Sequence, residues 1–185
     1  MQWIVIVALS ILACITYGII HDQITARICV EYFTIGHPMI VPTDDPTILG
    51  IVWGIAATWW VGAILGVPLA TLARIGPRPK KPASSLVGPM AILFAFSALL
   101  ALLAGLVGYV AASMGWVWLV GKMAEDVPQE KHVAFLVDLW AHSASYFGGF
   151  VGGIILMVWL WRSRGVVSPQ IATLQSVGSE EIGRG

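Results

Sequence analysis

The run Val133-Ala-Phe-Leu-Val-Asp138-Leu-Trp-Ala-His142-Ser-Ala-Ser145-Tyr146 opens a stretch, continuing to Trp161, whose one charged residue is Asp138. A helix over this stretch is long enough to cross a ~30 Å hydrocarbon layer. At about 3.6 residues per turn it would place Asp138, His142 and Tyr146 on one face, with Ser145 beside them. Ionisable groups at that depth are costly, so such a face is a functional site by default.

The rest of the chain has the same character. Apolar residues make up 58% of its 185 residues, charged residues only 11%, and the mean hydropathy is +0.85, far from the balance of a soluble domain. Uncharged runs predict four spans, at about 3–20, 48–73, 88–112 and 133–161. Asp45 is the expected N-cap of the second, Pro46 its first helical residue, and Pro68 a kink near its far end. The expected fold is therefore all-α, an integral membrane four-helix bundle over residues 1–165, followed by a disordered cytoplasmic tail at 166–185. Cys14 and Cys29 would stand about 22 Å apart on a continuous helix, beyond disulfide reach, and read as packing residues.

Charge gives an orientation. Seven basic residues, Arg74, Arg78, Lys80, Lys81, Arg162, Arg164 and Arg184, fall on one side, against Arg27, Lys122 and Lys131 on the other. The positive-inside rule places the first set, and both termini, in the cytoplasm. All four histidines, His21, His37, His132 and His142, then belong to the outer half. Net charge is zero, and nothing resembles a nucleotide or nucleic-acid site.

Small residues recur every fourth position at Gly50, Gly54, Thr58, Gly62 and Gly66, and again at Ser145, Gly149 and Gly153. Such stripes let backbones approach closely. They predict one tight bundle in the lipid bilayer, with a stripe that would also serve a homo-oligomeric or hetero-oligomeric contact.

The first and last spans run in opposite directions, so matching depths brings Tyr17 and His21 level with Asp138, His142 and Tyr146. After His21 come Asp22 and Gln23, then Arg27 and Glu31 at helical spacing, where Arg27 is expected to pair with Glu31 or to balance Asp138. The aromatic run at Tyr32 and Phe33, with Pro38, Pro42 and Pro46, predicts an ordered outer cap between the first two spans. The candidate polar or metal site is thus His21, Asp22, Glu31, Asp138 and His142, supported by Tyr17, Gln23, Arg27, Ser145 and Tyr146.

The blocks His21-Asp-Gln-Ile-Thr25, Glu31-Tyr-Phe-Thr34 and His142-x-x-Ser145-Tyr146-x-Gly148-Gly149 resemble those of a group of small, uncharacterised bacterial inner-membrane proteins. Those proteins carry His-Asp/Asn-Gln-Ile-Ser/Thr and Glu-Tyr-Phe-Thr after their first span. The resemblance implies a multi-pass inner-membrane protein whose blocks form one site, and it brings no established activity.

Three functions fit these residues. Imidazole and carboxylate ligands suit zinc, iron or manganese, whereas the scarcity of cysteine argues against an iron–sulfur cluster. A proton or ion relay through Asp138, His142 and His21 is the second, and it lacks polar residues in the cytoplasmic half. The third is a non-catalytic membrane subunit or assembly factor whose polar residues only hold helices together. Ser143 and Ser145 are too close in sequence to His142 for a hydrolytic triad. Haem ligation lacks a second deep histidine opposite His142.

Overall fold

The computed structural model describes residues 1–165, so the expectation for 166–185 lies outside the described residues. Among the described residues the chain is helical and contains no strand. The elements are α1 (Gln2–Ile28), α2 (Val30–Thr34), α3 (Pro46–Ala56), α4 (Trp59–Arg74), α5 (Ser84–Ser113), α6 (Lys122–Asp126), a 3-10 turn (Gln129–Lys131) and α7 (His132–Ser163). Four helical segments, Gln2–Ile28, Pro46–Arg74, Ser84–Ser113 and Gln129–Ser163, are long and apolar enough to cross a membrane. Exposed Leu12, Ile24, Ile92, Leu103, Leu106 and Ile155 give them an apolar outer surface, as a bundle solvated by hydrocarbon requires.

Two boundaries differ from the sequence expectation. α1 continues past Ile20 to Ile28, which makes His21, Asp22, Gln23 and Arg27 helical. It ends where Cys29 turns extended, its N–H still donating to the Thr25 carbonyl at 3.0 Å. The second span is not continuous either: it breaks at Ala57–Thr58, between α3 and α4. The carbonyls released there are taken up by side chains. Thr58 Oγ1 donates to Gly54 O at 2.5 Å, and Tyr146 Oη donates to Ala57 O at 3.3 Å. Irregular backbone at membrane depth survives only where such partners or a cavity receive it. The start of α3 follows the expected chemistry, Asp45 Oδ1 accepting from the N–H groups of Thr47 (2.7 Å) and Ile48 (3.1 Å), with Pro46 beside it.

The bundle is two tight helix pairs, α1 along α3–α4 and α5 along α7, that meet along a looser seam. The glycine stripe builds the first pair. A Cβ on Gly54 would lie 2.5 Å from Ile19 Cα, one on Gly62 2.6 Å from Ile11 Cα, and one on Gly50 2.9 Å from Gln23 N. Only glycine allows backbones to approach this closely, so this stripe is used within the chain.

Apolar clusters close the bundle at both ends. Ile6, Leu69, Ala73, Leu86 and Leu160 form one, and Ala26, Tyr32, Phe33, Leu49, Phe135 and Leu136 form the other. The Cys29 thiol in the second cluster is pushed by burial up to about 12, which fits a packing role. At the first end, Arg164 is buried and donates to the carbonyls of Leu72, Ile75, Arg78 and Pro79. Leu72 supplies one of the orphan acceptors at the C-terminus of α4, and the other three carbonyls belong to the residues that follow it. The polar residues lie between the two clusters.

Candidate metal centre

His142 sits on α7 with both ring nitrogens engaged. Nδ1 lies 2.8 Å from the Asp138 backbone carbonyl, and because a carbonyl only accepts, Nδ1 carries the proton. Nε2 lies 3.2 Å from Asp22 Oδ1 on α1. In the neutral ring, Nε2 therefore presents its lone pair toward the carboxyl. A backbone carbonyl holding the far nitrogen is the arrangement that orients metal-ligating histidines. Tyr32 stacks on the ring at 4.5 Å between centroids, and Phe33 meets it at 5.7 Å.

His21, the neighbour of Asp22, approaches His142 edge-on, with ring centroids 4.6 Å apart and planes at 81°. Its Nε2 is buried and has no hydrogen-bond partner among the described residues. One ligand atom from each of His21, Asp22 and His142 lies within 4.8 Å of the other two. The ligands of a tetrahedral zinc stand about 3.3 Å apart, given bonds of about 2.0–2.1 Å. The His142–Asp22 pair is already at that spacing, and the His21 ligand atom lies within 4.8 Å of both. Two imidazoles and one carboxylate can hold a divalent transition metal.

No family model, curated protein or solved structure matches this chain. What the site can do follows from its own chemistry.

The supporting residues divide. Tyr17 joins the two pairs: its hydroxyl and Ser145 Oγ are 2.8 Å apart, and its ring stacks on His21 at 5.9 Å and on Phe94 of α5 at 5.2 Å. Tyr146 reaches the α3–α4 break instead. Asp138 contributes its carbonyl to His142, while its carboxyl is fully buried, outside the converging ligand set, with both oxygens unpartnered among the described residues.

Glu31 stands apart, 3.4 Å from Lys131 Nζ and accepting from the Cys29 thiol at 3.4 Å. Arg27 does not pair with Glu31 or approach Asp138; it donates to Gln23 Oε1 and Thr47 Oγ1, each at 2.9 Å, while Gln23 Nε2 donates to the Thr47 carbonyl. The reason is the length of α1. Arg27 falls on the last turn beside the start of α3, and Glu31 lies beyond the Cys29 bend beside α7. His37 and His132 are held by the carbonyls of Tyr32 and Val127, each five residues away in sequence.

A cavity of about 860 Å³, its open mouth included, starts at His21, Asp22 and His142 and extends to Ser10, Leu69 and Leu156. Gly149 lines it, and a Cβ there would meet nothing within 4 Å among the described residues. Gly149 is therefore a cavity wall where a helix contact was expected, whereas Gly153 does pack, against Leu65. The aromatic wall of the site, Tyr32 and Phe33, was assigned from sequence only to the cap. Its adjacency to the His21 block was the available signal.

Proposed function

We propose that this chain is a multi-pass protein of the bacterial inner membrane that binds a divalent transition metal through His21, Asp22 and His142. Zinc, iron and manganese all suit two imidazoles and one carboxylate. Both termini lie in the cytoplasm, on the strength of the basic residues at that end, and residues 29–45 cap the site from the outer side. The observation that carries the reading is the convergence of three ligand atoms, one each from His21, Asp22 and His142, within 4.8 Å; beside it, the Nε2 of His21 is buried with no hydrogen-bond partner among the described residues. Three protein ligands leave an open position, where a bound metal would activate water or take part in redox chemistry.

A purely structural reading explains the His142–Asp22 contact, which ties α7 to α1. It leaves the buried Nε2 of His21 without a role, and burying a polar atom with no partner is costly. A proton relay finds little support, because the cavity beyond Ser145 is lined mainly by apolar side chains.

The test is elemental analysis of protein purified in detergent without added chelator, wild type beside His142→Ala. The proposal expects one equivalent of a transition metal in the wild type and loss of it in the variant. Metal-free wild-type protein that also fails to take up zinc, iron or manganese on titration would refute it.

A further inference from the structure

We infer that the cavity holds the hydrocarbon chain of a single-chain lipid whose anionic oxygen head group reaches the His21–Asp22–His142 centre. This rests on the metal reading above and names the class of molecule that the centre would meet.

The cavity has one polar end and one long apolar end. Tyr17, Ser145 and Tyr146 surround the imidazoles and carboxylate at the first, whereas Leu65, Leu69, Leu93, Met90, Leu156 and Met157 line the second. Its depth, from His21 to Ser10 along α1 and from His142 to Leu156 along α7, is about 16 to 21 Å at 1.5 Å per residue. That is the proportion of an extended amphiphile. An aliphatic slot gives water no polar partners, so it stays dry or takes an apolar occupant. Here the slot runs along the seam between two helix pairs at the depth of the hydrocarbon layer, where lipid chains are the surrounding solvent.

Two observations select the head group. Ser97 is buried, lines the slot and has a hydroxyl with no partner among the described residues, a donor that an oxygen-bearing ligand would satisfy. A divalent cation held by two neutral imidazoles and the single carboxylate of Asp22 keeps a net positive charge, so an anionic oxygen such as a carboxylate is the favoured ligand at its open position.

The experiment uses the full chain in nanodiscs, loaded with zinc, and palmitic acid carrying a terminal diazirine, photolysed and mapped by peptide mass spectrometry. Gly149→Leu is the second sample, since it fills the slot from a position where a Cβ meets nothing within 4 Å among the described residues. Zinc content is measured on both. The expected result is label at Leu69, Leu156 or Met157 in the wild type and about tenfold less in Gly149→Leu, the loss that follows when roughly 1.4 kcal/mol of binding is blocked, with equal zinc in both.

Label that is equal in the two proteins, or confined to outward residues such as Ile154 and Ile155, overturns the inference while the zinc measurement still supports the metal centre. Absence of zinc from both samples overturns the metal centre and the head-group assignment, and slot labelling then reads the chain alone. A diazirine-bearing butyric acid that labels the site as strongly as the long acid would show that the carboxylate alone is recognised, which also overturns the chain assignment.

Discussion

Asp22→Asn separates a metal ligand from a structural hydrogen bond, because the substitution removes one and preserves the other. With Nδ1 of His142 donating to the Asp138 carbonyl, Nε2 accepts. An amide nitrogen at residue 22 can donate to it across the same 3.2 Å. The helix-to-helix contact survives, and the metal-free Asp22→Asn protein should melt within about 1 kcal/mol of the wild type, the usual worth of such a bond between membrane helices.

Metal binding should respond differently. The amide carries no charge and is a poor ligand; even outer-shell changes cost 10- to 100-fold in affinity, so loss of the only anionic ligand should cost about 100-fold or more. At free metal equal to about 100 times the wild-type Kd, ligation stabilises the wild type by about 2.7 kcal/mol and the variant, then near its own Kd, by about 0.4 kcal/mol. For a chain of this size that is a rise in Tm of roughly 5–10 °C against 1–2 °C. The assay is thermal melting in detergent across a zinc titration, with affinity checked by chelator competition. Equal metal-dependent shifts in both proteins would refute Asp22 as a ligand, and no shift in either would refute the centre.

Gly54→Ala should destabilise the fold by about 1–3 kcal/mol, because its Cβ would meet the Ile19 backbone at 2.5 Å and neither helix can yield cheaply. Gly149→Ala, which meets nothing, should melt like the wild type; equal melting of the two variants would contradict the α1–α3 packing. Arg164→Met strips the buried donor from the carbonyls of Leu72, Ile75, Arg78 and Pro79 and should lower stability by about 2 kcal/mol with metal affinity unchanged, as isothermal titration would show. Burial pushes the Glu31 carboxyl up, but its own N–H, the Cys29 thiol and Lys131 outweigh it and hold the group below its ordinary value of 4.5. A depressed folded pKa means stability that is present above 4.5 and lost as pH falls through the folded value. Glu31→Gln should therefore cost under about 1 kcal/mol at pH 7, this pair being half-exposed, and the difference from wild type should vanish on acidification.

The spans were legible because lipid imposes a length and a composition, and four segments satisfy both. Helix depth was legible too: counting residues along antiparallel helices placed Tyr17 and His21 beside the Asp138–His142 face, and the structure brings Tyr17 to Ser145 and His21 to His142. Hydropathy does not report whether an apolar run is continuous, so the break at Ala57–Thr58 was invisible; it depends on Thr58 and on Tyr146 from another helix. Nor could spacing decide which oxygen of Asp138 faces His142. A carboxylate at i and a histidine at i+4 look like a ligand pair, yet the ring uses the i carbonyl and reaches across the seam for Asp22. Arg164 was read only as a topological charge, while its buried clamp on the end of α4 depends on tertiary contacts that no local pattern encodes.

The position of the centre follows from how the bundle divides. Glycine-mediated contact fixes α1 to α3–α4, α7 lies along α5, and between the pairs the contacts are fewer. Two candidate ligands, His21 and Asp22, belong to the first pair and the third, His142, to the second. A cation at their meeting point would tie two rigid bodies across the seam where the bundle is weakest, and the same seam contains the cavity that leads to it. Ligation and access are then linked. A motion that widened the seam to admit a chain would draw His142 on α7 away from Asp22 on α1, and a metal held by both would oppose it. Tyr17, bonded to Ser145 on one side and stacked on Phe94 on the other, sits on that seam one turn from His21, and its contacts would break with the same motion.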